Sequence, residues 1–131
     1  MHSSKRSILV IDDDSDIRDA LHDALSDEGY ETIEAAGGRE GLDYLRSHWM
    51  PSLILLDLNM APMSGPEFLA EVARDASLSR IPVILLTADP RTQEMLRGTT
   101  CAAYQEKPVV LEKLLETISQ CCESHSPCLR G

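Results

Sequence analysis

The chain is organised around the segment Ser52-Leu53-Ile54-Leu55-Leu56-Asp57-Leu58-Asn59-Met60, in which four apolar residues in a row are followed by an acid. A short apolar run that ends in this way is typical of a strand buried on both faces, with the acid at its carboxyl end. A buried and unpaired carboxylate is strongly unfavourable, so Asp57 is expected to lie beside partner groups from elsewhere in the chain. The identity of those partners determines what the chain can do.

Length and composition indicate one domain. The chain has 131 residues, of which 43% are hydrophobic and 26% are charged, and this is ordinary for a globular α/β domain with a single core. The formal net charge is −10, with 12 Lys and Arg against 22 Asp and Glu. Phosphate contact needs clustered basic residues, so we expect no direct nucleic-acid binding.

The N-terminal region argues against export and membrane insertion. The apolar run Ile8–Ile11 is too short for a signal peptide, and no segment approaches the roughly 20 apolar residues of a membrane span. We therefore expect a cytoplasmic protein with reduced thiols, since its four cysteines resemble no secreted disulfide framework. Three thiols and an imidazole do fall within residues 121–128, but nothing nearby would hold them as metal ligands, so helix-end packing and a loose tail are favoured.

Strand and helix patterns alternate along the chain. Five strands are predicted, at Ser7–Ile11, Tyr30–Ala35, the opening segment, Pro82–Leu86 and Cys101–Gln105. In the second strand Thr32 and Ile33 lie between turn-forming neighbours, and Glu31 and Glu34 break the apolar run. Each strand is followed by a predicted helix. The first is capped at Asp14, Ser15 or Asp16 and ends at Gly29, and the second begins at Gly37-Gly38. The third begins with the capping box Ser64-Gly65-Pro66-Glu67, a weaker fourth begins at Asp89-Pro90, and the last runs from Val110 to Cys122.

This alternation predicts an α/β fold: a doubly wound, flavodoxin-like, five-stranded parallel sheet with strand order 2-1-3-4-5 and five helices. We expect one domain over residues 7–123, with short flexible termini at 1–6 and 124–131. The third helix is expected to bury one apolar face, formed by Phe68, Leu69, Val72, Ala73 and Ala76.

The unusual polar residues all follow predicted strands. Asp12 and Asp13 come after the first strand, Asp57 after the third, Thr87 after the fourth and Lys107 after the last. In doubly wound sheets ligands bind outside the carboxyl ends of the strands, where the strand order reverses, so the three acids should meet in one crevice. Carboxylates this close together must protonate or bind a cation, and oxygen ligands without His or Cys suit Mg²⁺.

A carboxylate nucleophile, a divalent cation, a lysine and a hydroxyl are the parts needed to accept a phosphoryl group as an aspartyl phosphate. Each residue alone has an ordinary structural explanation as a cap, a turn residue or a solvated charge. Asp14 and Asp16 are explained by capping and by the helix dipole. The coincidence of the others at successive strand ends favours the joint functional interpretation.

The chain resembles the receiver domain of two-component response regulators, of the stand-alone, chemotaxis-regulator kind. The resemblance runs from about Ser7 to Cys122. The segments that carry it are Ile8-Leu9-Val10-Ile11-Asp12-Asp13, Leu55-Leu56-Asp57-Leu58-Asn59-Met60, Met63-Ser64-Gly65, Leu86-Thr87-Ala88 and Tyr104-Gln105-Glu106-Lys107-Pro108.

The resemblance implies that Asp57 is phosphorylated by a sensor histidine kinase or a histidine phosphotransfer protein. The protein would be a switch that is not a turnover enzyme. The implied magnesium ligands are Asp13, Asp57 and the backbone carbonyl of Asn59, with Asp12 reaching the ion through water.

The resemblance also implies that Thr87, Lys107 and the Ala88 amide hold the phosphoryl oxygens. Tyr104 would be the aromatic switch residue that responds to Thr87, and Lys107-Pro108 would be a cis peptide. A downstream protein would bind the face formed by the fourth helix, the last strand and the last helix, with a homodimer as an open alternative. A free-standing regulator, a phosphorelay shuttle and a receiver within a longer protein all stay open.

Two further residues are predicted to tune dephosphorylation. Asn59 and Asp89 lie two positions beyond Asp57 and Thr87, where they could position or obstruct the attacking water. The chain also departs from the family pattern at two places. It has Ala61-Pro62 where members commonly have Pro directly after the methionine, and Thr100-Cys101 where they have a Gly-Ala pair.

Two alternatives belong to other functional classes. A haloacid-dehalogenase-type phosphatase also uses an Asp after a buried strand, a Thr and a Lys. It needs a second Asp two residues later as general acid, where this chain has Asn59, and its nucleophile lies on an earlier strand. A phosphorylation-independent, receiver-like binding module is the other alternative, and the complete set of acids argues against it.

Overall fold

The computed structural model describes residues 6–47, 50–58, 60, 62–88 and 103–124, with side chains described up to Cys121. The helix predicted after Asp89-Pro90 lies outside these residues, as do most of the two predicted flexible termini. The described elements are β1 (Ser7–Ile11), α1 (Ser15–Asp27), β2 (Glu31–Ala35), α2 (Gly38–Ser47), β3 (Leu53–Asp57), α3 (Gly65–Ala73), a 3₁₀ turn (Leu78–Arg80), β4 (Val83–Thr87), β5 (Ala103–Glu106) and α4 (Leu111–Ser124).

The five strands form one parallel sheet with the order β2-β1-β3-β4-β5. This confirms the predicted sheet and its strand order. Four of the five predicted helices fall on described residues and are present there. The predicted cis peptide at Lys107-Pro108 is also present.

The core is divided by the sheet into two layers. Side chains alternate along a strand, so Ile54 and Leu56 of β3 pack on the side of α2 and α3, while Leu53 and Leu55 pack on the side of α1 and α4. All residues of β3 and β4 are buried, as expected for parallel strands covered on both faces. The acid at the end of β3 is therefore delivered to the edge of a closed core.

The helix starts follow the predicted capping chemistry. Asp14 is the N-cap of α1, and its Oδ1 accepts hydrogen bonds from the amides of Asp16 at 2.9 Å and Ile17 at 3.4 Å. In α3 the Ser64 amide donates to Glu67 Oε1 at 2.8 Å and the Glu67 amide donates to Ser64 Oγ at 3.2 Å, which completes the predicted capping box.

The end of α3 was predicted wrongly. The helix ends at Ala73, and both Ala73 and Ala76 are exposed rather than part of its buried face. The cause is Asp75, whose Oδ1 accepts hydrogen bonds from the amides of Ser77 at 2.9 Å and Leu78 at 3.3 Å. A side chain that bonds to nearby backbone in this way competes with the helix and starts a turn instead.

The described helices include none with the length and apolarity needed to cross a membrane.

Candidate functional site

The carboxyl ends of β1 and β3 bring the predicted acids together. Ile11 pairs with Leu56 in the sheet, so Asp12 and Asp57 are the next residues on neighbouring strands. Asp12 is fully buried and Asp57 is only 4% exposed, whereas Asp13 is exposed. One carboxylate oxygen from each of the three lies within 4.8 Å of the others. The crevice predicted from the sequence is therefore present.

The donor set of this crevice fits a magnesium ion. Among the described residues it offers three carboxylates, and hard oxygen donors are the ligands that Mg²⁺ prefers. One of the three acids, Asp13, faces solvent, which leaves room for the water ligands that Mg²⁺ retains. Asn59, the fourth predicted ligand, lies outside the described residues.

Lys107 supplies the positive charge opposite the acids. Its Nζ lies 3.1 Å from Asp57 Oδ1 and 3.5 Å from Asp12 Oδ2. Burial alone would lower the pKa of Lys107, but the hydrogen bond to Asp57 and the charges of Asp57 and Asp12 outweigh burial and raise the pKa above its ordinary value. The ammonium group is thus held in its charged form between two nearly buried carboxylates.

Thr87 and Ala88 follow the register of the sheet. Asp57 pairs with Leu86, so Thr87 is the next residue along β4. Thr87 is fully buried and Ala88 is exposed. The Lys107 amide donates to the Thr87 carbonyl oxygen at 2.7 Å, which ties the lysine-bearing loop to the end of β4. The two residues predicted to bind the phosphoryl group, Thr87 and Lys107, are therefore joined by a backbone hydrogen bond.

Tyr104 lies on the same face of the sheet as Thr87. It pairs with Leu85, and Leu85 and Thr87 are two residues apart on β4, so their side chains point to the same side. Tyr104 is half-buried and packs against the core layer on the α2 and α3 side. This arrangement is compatible with the predicted switch pair. Asp89, Ala61 and Thr100-Cys101, which the sequence also singled out, lie outside the described residues.

Sequence reasoning missed Arg18 as a contributor to the crevice. Arg18 Nη1 of α1 donates to the backbone carbonyl oxygen of Asp12 at 2.6 Å, and its Nε lies 3.4 Å from Glu34 Oε1 of β2. An arginine shortly after an acidic loop was the available signal. Arg18 can contact both Asp12 and Glu34 because β1 and β2 are neighbours in the sheet. That pairing cannot be inferred from the position of Arg18 in the sequence.

Gly65 also contributes, through the loop that follows Asp57. Its amide donates to the Leu58 carbonyl oxygen at 3.0 Å, and a Cβ added at Gly65 would lie 2.8 Å from Leu58 Cα. Only glycine permits this close approach of backbone to backbone. The sequence marked Gly65 as part of a helix start but not as a support of the site.

A parallel α/β sheet with this acidic crevice and its lysine defines a class of signalling domain, and comparison with known proteins agrees. Residues 8–119 match the family described as the response regulator receiver domain, and the chain belongs to this family. The chain is similar to the polar-differentiation response regulator DivK of Brucella ovis, with 35% identity over 115 residues that cover 86% of this chain and 93% of DivK.

Solved structures give the same result. The chemotaxis protein CheY4 of Vibrio cholerae superposes with a TM-score of 0.83 at 29% identity, covering 89% of this chain and 98% of CheY4. A CheY-like response regulator receiver domain protein from Methanospirillum hungatei gives a TM-score of 0.84 at 29% identity, covering 93% and 97% of the two chains. The phosphatase alternative is not favoured by this family assignment.

Proposed function

We propose that this chain is a phosphoacceptor switch of a two-component system, in which Asp57 takes a phosphoryl group from a phosphohistidine donor. One observation carries the proposal: a nearly buried Asp57 carboxylate lies 3.1 Å from Lys107 Nζ, in a cluster whose three carboxylates come within 4.8 Å of one another. Membership of the receiver family supports it.

In phosphoryl transfer the protein mainly positions the nucleophile and neutralises the negative charge of the phosphoryl oxygens. An Asp57 oxygen forms the new bond to phosphorus while the bond from phosphorus to the donor imidazole breaks, and the imidazole nitrogen keeps the electron pair. Lys107 stabilises the negative charge on the phosphoryl oxygens because its ammonium group already faces Asp57. The Thr87 hydroxyl and the Ala88 amide are the proposed donors to the same oxygens.

Asp13, Asp57 and the Asn59 carbonyl are the proposed ligands of Mg²⁺, with Asp12 acting through water. When bound, the ion neutralises the carboxylates and the incoming phosphoryl group, which would otherwise repel one another. Hydrolysis returns the switch to its starting state: water attacks phosphorus, inorganic phosphate leaves and the Asp57 carboxylate is restored. Asn59 and Asp89 are the proposed residues that set the rate of this step.

The output is proposed to begin at Thr87. Once its hydroxyl binds a phosphoryl oxygen, the space beside it on the same face of the sheet changes, and Tyr104 adjusts its rotamer. β5 is an edge strand of the sheet, so we propose that this change reaches the face predicted from the fourth helix, β5 and α4. We propose that a downstream protein binds there in the cytoplasm, with homodimerisation as the alternative use of this surface.

The donor is proposed to approach along a groove of about 580 Å³ between α1 and the segment that leads from β5 into α4. Ile17 and Ala20 line one side of this groove, Pro108 and Val109 line the other, and Lys107 connects it to the crevice. A protein that carries a phosphohistidine must cover this edge of the crevice to reach Asp57. The apolar lining gives that protein a contact area beside the site of transfer.

Mass spectrometry tests the proposed function. After incubation with acetyl phosphate and Mg²⁺, the wild-type chain should gain the mass of one phosphoryl group. Asp57→Asn should gain none, whereas Asp43→Asn, which changes an exposed acid of α2, should behave like wild type. No gain in the wild type, or a gain that survives Asp57→Asn, would contradict the proposal.

A further inference from the structure

Arg18 connects the acidic loop to the neighbouring strand. Its guanidinium group donates from Nη1 to the Asp12 carbonyl oxygen at 2.6 Å, and its Nε lies 3.4 Å from Glu34 Oε1. The Arg18 side chain is only 17% exposed, whereas the Glu34 side chain is 33% exposed, so the contact with the Asp12 carbonyl is the better shielded of the two. A hydrogen bond from a charged donor is roughly twice as strong as one between neutral groups.

The carbonyl oxygen that Arg18 binds belongs to the peptide unit between Asp12 and Asp13. A peptide unit is planar, so turning it changes the direction of both flanking side chains together. On its other side Asp12 is held by the sheet, since its amide donates to the Ala35 carbonyl oxygen at 3.2 Å. β2 ends at Ala35, so the strand pairing ends at the Asp12 amide, and the Asp12 carbonyl oxygen is bound by Arg18 instead.

We infer that Arg18 is a positioning residue of the acidic crevice, because it fixes the peptide unit between Asp12 and Asp13 and thereby aims their two carboxylates at one cation. This inference rests on the proposed function. Glu34 pairs with the guanidinium charge, so Arg18 can hold the loop close to a metal site without adding an unpaired cation. The fork shape of the guanidinium group lets it hold both partners at once, and a lysine ammonium cannot reproduce that geometry.

The sign of the effect separates positioning from simple electrostatics. Removing a cation beside an acidic crevice would, by Coulomb attraction alone, tighten the binding of Mg²⁺. Loss of positioning predicts the opposite. Removal of a group that orients metal ligands typically weakens metal binding by a factor of roughly 10 to 100, and we expect a loss of about tenfold for Arg18→Ala.

The test measures Mg²⁺ affinity by isothermal titration calorimetry for the wild type, Arg18→Ala, Arg18→Lys and Arg74→Ala. Arg74 is the matched control, since it is an exposed arginine whose side chain pairs with Glu71 away from the crevice. Arg18→Ala and Arg18→Lys should both bind Mg²⁺ more weakly, and Arg74→Ala should match the wild type. Thermal unfolding in the presence of a chelator checks that each variant is folded. If Arg18→Ala does not fold, the affinity of Arg18→Lys decides the outcome.

Unchanged or tighter Mg²⁺ binding by the folded Arg18→Ala variant would overturn the inference, and so would wild-type affinity in Arg18→Lys, since charge alone would then suffice. If the wild-type chain binds Mg²⁺ and is phosphorylated at Asp57 while Arg18 has no effect, only this inference fails. If the wild-type chain does neither, the proposed function fails with it.

Discussion

At the scale of single residues, the fold shifts the ionisation of Lys107, the positive group of the crevice. Its pKa is raised because the attraction of Asp57 and Asp12 outweighs burial. A group whose pKa is raised by folding adds stability that is fully present below its unfolded pKa and is lost as the pH rises through its folded pKa. For a lysine that window begins near the unfolded value of about 10.4.

We therefore predict a pH-dependent difference in unfolding free energy between the wild type and Lys107→Met. The difference should stay constant from about pH 7 to about pH 9 and shrink above about pH 10.4. Urea unfolding at a series of pH values measures it. Lys113→Met, which removes an exposed lysine of α4, is the control. A difference for Lys107→Met that did not change with pH would show that the ion pair adds nothing to stability.

Asp13 adds a negative charge beside the buried carboxylates of Asp12 and Asp57, which Lys107 pairs. The excess of negative charge in the crevice opposes folding until a further cation binds. We predict that Asp13→Asn leaves the metal-free protein as stable as the wild type or more stable by up to about 1 kcal/mol. Mg²⁺ at 100 times its dissociation constant should stabilise the wild type by about 2.7 kcal/mol, and most of that gain should be absent in the variant.

Urea unfolding with a chelator and then with Mg²⁺ provides the comparison for Asp13→Asn. Asp43→Asn, at an exposed position of α2, should respond to Mg²⁺ as the wild type does. Equal stabilisation of Asp13→Asn and wild type by Mg²⁺ would remove Asp13 from the set of ligands.

At the scale of elements, the start of α3 fixes the loop that carries Asp57. A Cβ at Gly65 would lie 2.8 Å from Leu58 Cα and 2.9 Å from the Leu58 carbonyl oxygen, and both are backbone atoms that cannot move aside alone. We predict that Gly65→Ala destabilises the protein by about 1 to 3 kcal/mol, as overpacking does. It should also slow phosphorylation, since Leu58 directly follows the acceptor.

Gly37→Ala is the matched control for Gly65→Ala. A Cβ at Gly37 comes within 2.9 Å only of Glu40 Oε1, the far end of a flexible side chain, so this variant should lose much less stability. Chemical denaturation and the rate of labelling by acetyl phosphate give the two readouts. If both variants lost the same stability, the close approach at Leu58 would not be the reason for glycine at position 65.

The same scale shows what the sequence could and could not predict. The sheet and the acidic cluster were predictable, because β1, β3 and β4 are short apolar runs and Asp12, Asp57 and Thr87 stand at their carboxyl ends. The end of α3 was not, since the carboxylate of Asp75 had to be known to bond to the Ser77 and Leu78 amides. The contacts of Arg18 depend on strand pairing, which a local pattern does not specify.

At the scale of the whole molecule, the crevice and the proposed donor groove share Lys107, so acceptance of the phosphoryl group and contact with its donor meet at one edge of the sheet. A small phosphodonor needs only the crevice, whereas a protein donor needs both. The two requirements can be separated by changing the groove at a position that does not touch the acids.

Ala20 of α1 offers that position, because it is exposed and lines the groove. We predict that Ala20→Arg lowers the rate of phosphotransfer from a histidine phosphotransfer protein by about tenfold or more, since a bulky charge disrupts an apolar contact surface. Labelling by acetyl phosphate should stay at the wild-type rate. Ala70→Arg makes the same change on an exposed position of α3 and should leave both rates unchanged. A wild-type rate of transfer from the protein donor to Ala20→Arg would place the donor's approach elsewhere, and an equal loss with both donors would assign the effect to the crevice.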